Sequence, residues 1–389
     1  MSDSKGNIVL FLGAGFSHRA GLPTMAGFGD DSYKELSGLK YGKRNQNKEA
    51  KPMLCKAGEM FQEFQNYCRN AKRYVNIDVD NMEDIFCIAE SMKECGVEEI
   101  ELEKRNATID EIIEKIQLWL WKIFQRLPAV NELFRAEPYI DFFKIIRNNK
   151  FGERLKVITT NYDLVFEHFS EKSGIPCKYP NFKEQEYFSI FQENIGCFLD
   201  SGDKSPLLCK LHGSINYFLK RGERDKIWIC DRIIDKRGLP DGTSLSKKQQ
   251  GVPEILRLDS IKEINPKQTP DFLPGIIPPT HAKLHGYDWL KTIWKNAFKA
   301  IQNSKAIVFI GYSFPESDGF MRSLFQGAFS HRENGEEPDI YIFDPSLEKN
   351  GYLKARYRNV FKTDLKWKPY KFKDSLEELE KVFKEISDM

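Results

Sequence analysis

The sequence lacks the paired cysteines of a zinc module or a redox motif. Its eight cysteines stand at positions 55, 68, 87, 95, 177, 197, 209 and 230, and no two of them form a C-x-x-C pair. We therefore expect free thiols, mostly buried, in a reducing cytoplasm, rather than disulfides.

Long apolar runs are missing as well. No stretch approaches the roughly 18 apolar residues that a membrane helix needs. The N-terminal residues are polar, and the run Ile8–Leu12 is too short for the apolar part of a signal peptide. We therefore expect a cytoplasmic protein without a membrane segment.

Neither sign of charge is in large excess. The chain has 59 Lys and Arg against 57 Asp and Glu, a formal net charge of +2. This balance gives no argument for a polyanion partner, so direct binding of nucleic acid stays open. The 389 residues are 41% hydrophobic, which is enough for a large core. We expect a single domain over 1–389.

Apolar runs alternate with helical segments along much of the chain. Strands are predicted at 7–12, 155–160, 207–211, 305–310 and 339–343, and helices at 164–173, 288–303 and 316–329. This alternation predicts the α/β class, with a Rossmann-like, doubly wound parallel sheet. Residues from about 45 to 150 are predicted to form a helical insertion, with helical spacing clearest over 109–127. Exposed loops are predicted at 30–51 and at 235–270.

Five short stretches of small and polar residues follow predicted strands. They are 13–17, 159–163, 210–214, 311–313 and 343–344. Ligands of open α/β sheets bind at the carboxyl ends of the strands. We therefore expect these stretches to form one nucleotide-binding site.

The first stretch reads Gly13, Ala14, Gly15, Phe16 and Ser17. The first glycine permits a tight turn, and the second lets the backbone approach a phosphate. A following helix would direct its N–H groups at that anion, and the serine adds a hydroxyl. The third glycine of the dinucleotide fingerprint is absent, so a simple strand-to-helix turn is the alternative.

The next two stretches carry the candidate catalytic groups. Asn161 offers a donor and an acceptor that can orient a water or a ribose hydroxyl, or it caps a helix. Asp163 is placed to cap the next helix. His212 can act as a general base near neutral pH, although a lone histidine is more often structural. The neighbouring Lys210 is expected to be solvated.

The last two stretches offer groups for a phosphate or a ribose. Gly311 and Ser313 can hold a phosphate or ribose oxygen. Asp344 can accept both hydroxyls of an adenosine ribose, or it is a turn residue before Pro345.

Together these stretches resemble the sirtuin family. That family has a GAG-x-S turn followed by G-[IL]-P, an Asn-x-Asp, a catalytic His-Gly and a late Gly-x-Ser. The matching residues here are Gly13–Ser17 with Gly21-Leu22-Pro23, Asn161-Tyr162-Asp163, His212-Gly213 and Gly311-Tyr312-Ser313. Their order and spacing agree over nearly the whole chain, apart from residues 49–149.

Two departures separate this chain from the deacylating sirtuins. It has no zinc module, and Thr24-Met25-Ala26 stands where that group has Asp-Phe-Arg. The motifs look instead like those of bacterial sirtuin-like NAD hydrolases of anti-phage defence. This resemblance implies NAD+ as substrate, Asn161 and His212 as catalytic residues, and no metal. It further implies that Gly13–Ser17, Asp163, Gly311, Ser313 and Asp344 bind the nucleotide.

The resemblance also implies partners. Effectors of this kind form homo-oligomers and act with a separately encoded partner, such as a HerA-type ATPase or a short Argonaute. Trp119, Trp121 and Phe124 in the helical block are candidate assembly contacts, with burial in the core as the alternative. Three other functions stay open: a non-catalytic sensor of NAD or ADP-ribose, a protein deacylase, and a nucleic-acid-processing subunit.

Overall fold

The computed structural model describes most of the chain in separate ranges. These are residues 7–20, 22, 50–71, 79, 81–124, 133–181, 187–189, 205–220, 223–229, 272–277, 284, 287–315, 318–332, 337–349 and 351–388. The loop predicted at 235–270 lies outside them. So does the loop predicted at 30–51, except for its last two residues, which begin a helix.

Strands and helices alternate through the described residues. The strands are β1 (Asn7–Leu12), β2 (Glu99–Glu101), β3 (Asn106–Thr108), β4 (Leu155–Thr159), β5 (Tyr187–Ser189), β6 (Leu207–Lys210), β7 (Gly213–Lys220), β8 (Glu223–Ile229), β9 (Phe272–Ile276), β10 (Ser304–Ile310), β11 (Asp339–Phe343) and β12 (Leu365–Lys368). The helices are α1 (Ala14–His18), α2 (Ala50–Ala71), α3 (Met82–Glu94), α4 (Ile109–Phe124), α5 (Leu133–Asn148), α6 (Val165–Lys172), α7 (Asp288–Gln302), α8 (Gly319–Ser330), α9 (Gly351–Val360) and α10 (Leu376–Asp388).

The main sheet confirms the predicted fold class. Its six strands lie in the order β12-β11-β10-β1-β4-β6, and every neighbouring pair is parallel. The chain therefore builds β1, β4 and β6 outwards on one side and β10, β11 and β12 outwards on the other. This is the Rossmann strand order, and its switch point lies between β1 and β10.

The central strands are buried on both faces. All residues of Ile8–Leu12 and of 306–310 are at most 1% exposed, as expected for strands covered by helices on both sides. Helix α7 packs against β1, β4, β6 and β10. Continuous apolar runs therefore mark these strands in the sequence, and the predicted bounds of β1 and β11 agree with the structure.

A second, smaller sheet was not predicted. Its strands lie in the order β5-β8-β7-β9, and β7 pairs antiparallel with both β8 and β9. Strand β7 begins with Gly213 and Ser214, which belong to the stretch 210–214 that the sequence places at the end of a strand. All its residues up to Leu219 are buried, so it lacks the alternating pattern that identifies a half-exposed strand.

Among the described residues between α1 and β4, the chain forms the helices α2, α3, α4 and α5 and the small hairpin β2–β3. Helix α4 packs on β9 of the second sheet. Trp119, Trp121 and Phe124 are at most 8% exposed, and the Trp121 indole N–H donates to the Ile215 carbonyl oxygen at 2.9 Å. The prediction that these three side chains are assembly contacts is wrong, because they belong to the core of the chain itself.

The described helices include none that is both long and apolar enough to cross a membrane. The thiols of Cys68 and Cys209 are buried, and burial raises the pKa of each to about 12.

Candidate nucleotide site

Three glycines bring the ends of β1 and β10 into direct backbone contact. The Gly13 N–H donates to the Ile310 carbonyl oxygen at 3.0 Å, and the Gly15 N–H donates to the Gly311 carbonyl oxygen at 2.9 Å. A Cβ atom on Gly13 would lie 2.4 Å from that Gly311 oxygen, and one on Gly15 would lie 2.7 Å from the Gly311 Cα. Gly311 itself has φ +61°. Close packing at the switch point therefore requires all three glycines.

Two main-chain N–H groups of the Gly13–Ser17 turn, which were expected to face a phosphate, are engaged within the protein. The Gly15 amide donates to Gly311, and the Phe16 amide donates to the Gly13 carbonyl oxygen at 3.0 Å, so both hold the turn itself. The Phe16 side chain is 1% exposed and packs in the core against Tyr139 and Phe142, so it does not face a ligand. Ala14 and Gly15 are the partly exposed residues of the turn, where a ligand can approach.

Asn161 joins the end of β4 to the same turn. Its Nδ2 donates to the Gly13 carbonyl oxygen at 2.9 Å and to the Ser17 Oγ at 3.1 Å. Its main-chain N–H donates to the Thr159 Oγ1, which in turn donates to the Leu12 carbonyl oxygen. Both amide hydrogens are thus engaged, and the Oδ1 of this partly exposed side chain is the atom that can meet a ligand.

Ser17 and Asp163 lie beneath the turn. The Ser17 hydroxyl donates to the Asp163 Oδ1 at 3.0 Å, and the same Oδ1 accepts the Val165 N–H at 2.9 Å. Asp163 thus accepts the first N–H of α6 from the position before Leu164, which is the N-cap residue. Asp163 is 4% exposed, and burial raises its pKa while the Lys210 ammonium opposes the rise. Its carboxylate supports the turn from below, so direct contact with a ligand is not what the geometry indicates.

A buried ion pair continues from Asp163. Lys210 is 1% exposed, and its Nζ lies 2.9 Å from the Glu167 Oε1 and donates to the Asp163 carbonyl oxygen. The Tyr179 hydroxyl donates to the same Glu167 oxygen at 3.0 Å and accepts from the Asn216 Nδ2. Burial raises the pKa of Glu167, and Lys210 opposes the rise. The expectation that Lys210 is solvated is wrong, because β6 ends inside the fold.

His212 forms the corner between the two sheets. It follows β6 and directly precedes β7, and its carbonyl oxygen accepts the Ile277 N–H at 2.8 Å. The Trp294 indole N–H donates to the Leu211 carbonyl oxygen at 2.9 Å. Gly213 has φ +77°, and a Cβ there would lie 1.9 Å from a carbonyl oxygen of β9. The main chain on both sides of His212 is therefore held in place.

The His212 side chain faces a carboxylate that sequence reasoning missed. His212 and Asp318 are each 1% exposed, and the His212 Nε2 lies 3.7 Å from the Asp318 Oδ2. That oxygen accepts the Tyr312 hydroxyl at 2.9 Å. The Tyr162 ring lies 6.2 Å from the imidazole, centroid to centroid. The sequence signal was weak, because an aspartate before Gly319 reads as an ordinary helix cap.

The remaining predicted site residues are Ser313 and Asp344. Ser313 is exposed beside Gly311. Asp344 lies at the end of β11, separated from β1 by β10, and its Oδ1 accepts the Ser346 N–H at 2.7 Å. The turn role of Asp344 is thus confirmed, and its contact with a ribose stays a prediction. Within the described residues no group of three or more His, Cys, Asp or Glu side chains could hold a metal ion.

Comparisons with known proteins give low similarity. No protein-family model matches the sequence, and no curated protein matches it. Among solved structures, a mutant Sir2 homologue bound to ADP-ribose is 11% identical with a TM-score of 0.39, over 99% of this chain and 95% of that one. A Sir2 complex with a p53 peptide and NAD+ is 10% identical with a TM-score of 0.34, and the match covers 97% of this chain and 92% of that one. Similarity at this level carries no argument, and the fold class rests on the strand order itself.

Proposed function

We propose that the chain is an NAD+ hydrolase that cleaves the bond between nicotinamide and ribose. One observation carries the proposal: Asn161 bonds to Gly13 and Ser17 of the turn after β1, and the ring of the next residue, Tyr162, lies 6.2 Å from the His212 ring, centroid to centroid. An amide and a histidine are thereby held beside a turn at the carboxyl edge of a Rossmann-like sheet, where such folds bind nucleotides.

Each group then has a role in the proposed reaction. The pyrophosphate lies against the exposed side of the Gly13–Ser17 turn, and Gly311, Ser313 and Asp344 hold the adenosine side. The Asn161 Oδ1 orients water at the nicotinamide ribose. The carbon–nitrogen bond to nicotinamide breaks through an oxocarbenium-like state, and the water oxygen bonds to the sugar carbon. The water proton passes to His212, so the products are nicotinamide, ADP-ribose and a proton.

The proposed biological role follows from the resemblance of the motifs. The chain would act in the cytoplasm as the NAD-depleting effector of an anti-phage system that halts the infected host. It would assemble as a homo-oligomer and respond to a separately encoded partner, such as a HerA-type ATPase or a short Argonaute.

A non-catalytic sensor of NAD or ADP-ribose is the second candidate. The observation in its favour is that the side-chain Nδ2 of Asn161 bonds to Gly13 and Ser17 and so holds the turn after β1. A loop that binds a nucleotide without catalysis would also need this support. A sensor, unlike a hydrolase, has no use for His212 as a base.

The test is nicotinamide release from NAD+ by the purified protein. We expect wild-type protein to release nicotinamide, and Asn161→Ala and His212→Ala to lower the rate by at least about 100-fold. Asn296→Ala and His331→Ala are the matched controls, since Asn296 bonds within α7 and His331 is exposed at the end of α8. Both controls should keep the wild-type rate.

Two results would count against the proposal. Full activity in Asn161→Ala and His212→Ala would refute the site assignment. If wild type released no nicotinamide, calorimetry with NAD+ and ADP-ribose would follow, with the partner protein present and absent. Binding without release under both conditions would establish the sensor.

A further inference from the structure

We propose that Asp318 is the positioning residue for His212: its carboxylate orients the imidazole and stabilises the imidazolium that forms when His212 takes a proton. The inference rests on the proposed role of His212 as the base.

Both side chains of the pair are buried. His212 and Asp318 are each 1% exposed, and the Nε2 and Oδ2 atoms are 3.7 Å apart. A buried carboxylate is costly unless polar or charged groups surround it. Asp318 meets the Tyr312 hydroxyl and the imidazole, and the imidazole in turn meets Asp318 and the Tyr162 ring. Attraction between opposite charges is strong at this depth.

A helix-capping role does not account for this carboxylate. Asp318 occupies the N-cap position of α8, where aspartate usually accepts an N–H of the first turn. Its side chain makes no capping hydrogen bond. One Asp318 oxygen instead accepts from Tyr312 and faces His212. The side chain is therefore turned away from its own helix and towards the site.

The main chain holds both partners in place. The Asp318 N–H donates to the Pro315 carbonyl oxygen at 3.2 Å, and the Tyr357 hydroxyl donates to the Tyr312 carbonyl oxygen at 2.7 Å. The His212 carbonyl oxygen accepts from Ile277. The main-chain positions of His212, Asp318 and Tyr312 are thus fixed, which is what a positioned base requires.

The geometry also assigns the two ring nitrogens. Because the Nε2 faces Asp318, the neutral imidazole carries its proton on Nε2 and has its lone pair on Nδ1. A water or ribose proton would then pass to Nδ1, and the positive charge formed would lie opposite the Asp318 carboxylate. In the Ser-His-Asp triad a buried carboxylate likewise faces one ring nitrogen while the other takes the proton, with the two nitrogens exchanged relative to this pair.

The main experiment follows the imidazole directly, without requiring turnover. Protein with 13C-labelled histidine is titrated by NMR, and the His212 signal is assigned by its loss in His212→Ala. Asp318→Asn keeps an acceptor for the Tyr312 hydroxyl and removes the charge. We expect its His212 titration midpoint to fall by about one pH unit.

Tyr312→Phe is the matched control. It removes the hydroxyl bonded to Asp318 and keeps the carboxylate. The His212 midpoint should move by less than half of the shift seen in Asp318→Asn. In nicotinamide release, Asp318→Asn should lower kcat at least about 10-fold and move the acid limb of the rate profile to lower pH.

Several results would overturn the inference. The first is a His212 titration midpoint that is the same in wild type and Asp318→Asn. The second is no titration of His212 in either protein, and the third is a shift of the midpoint in Tyr312→Phe as large as in Asp318→Asn. If Asp318→Asn fails to fold, 15N shifts of the wild-type imidazole decide, since a proton on Nδ1 in the neutral form contradicts the assignment. A shifted midpoint in a protein that never releases nicotinamide would support the pair and refute the hydrolase.

Discussion

At the scale of single residues, the buried charges beneath the turn are unbalanced. Two acids, Asp163 and Glu167, share one cation, Lys210, and burial raises the pKa of both acids against the opposing effect of that cation. An acid whose folded-state pKa is raised contributes stability below its unfolded pKa, near 4, and loses it as pH rises through the folded pKa. Lys210 therefore limits a loss of stability towards neutral pH.

Removing that cation should destabilise the protein in a pH-dependent way. We expect Lys210→Met to lower the free energy of unfolding by about 3–5 kcal/mol at pH 8, because it leaves buried carboxylates without their partner. The loss should be smaller at pH 5, where the acids can take up protons. Urea denaturation at both pH values measures the effect.

The control is a lysine in an exposed pair. Lys144 contacts Asp141 on the surface of α5, so Lys144→Met should cost about 0–1 kcal/mol, with little change between the two pH values. Equal losses from Lys210→Met at pH 5 and pH 8 would contradict the account of the buried cluster.

At the scale of secondary-structure elements, the site depends on how closely two strand ends approach. The turn after β1 packs against the loop after β10 without any intervening side chain, through Gly13, Gly15 and Gly311. Asn161, after β4, then bonds to the same turn. Three strand ends are thus joined by short contacts.

A single methyl group should disturb this junction. In Gly13→Ala the added Cβ would lie 2.5 Å from the Tyr312 Cα, so we expect unfolding to become easier by about 1–3 kcal/mol. Gly351→Ala is the control, because a Cβ at the start of α9 meets no atom within 4 Å, and its effect should stay within about 0.5 kcal/mol. Identical denaturation midpoints for the two variants would show that the junction tolerates a side chain.

At the scale of the whole molecule, His212 connects the two sheets. Strand β6 belongs to the main sheet and β7 to the second, and His212 lies between them. The helical block packs on the second sheet through α4, and the Gln117 side chain donates to the Ile276 carbonyl oxygen at 3.0 Å. Trp119, Trp121 and Phe124 of this block are therefore committed to internal packing.

Self-association remains a prediction from the resemblance of the motifs. Sedimentation velocity at micromolar concentration should show a species heavier than the 45.3 kDa chain. Trp119, Trp121 and Phe124 are buried, so the contacts would have to lie elsewhere on the surface. A single boundary at the monomer mass across the concentration range would contradict the prediction.

The sequence by itself determined the fold class and the positions of the strand ends. Central parallel strands are continuous apolar runs, and the small and polar residues after them mark the edge where ligands bind, so both can be recognised locally. Runs such as Ile8–Leu12 and the polar stretches that follow them needed no knowledge of distant contacts.

The tertiary structure alone decided which atoms are engaged. Ser17 and Asp163 are bonded although they are 146 positions apart. Lys210 is buried, and the Gly15 amide is occupied by a neighbouring strand end. Asp318 faces His212, not its own helix. Such contacts depend on strand order and on how the sheets meet, and local patterns of hydrophobicity and charge do not encode either.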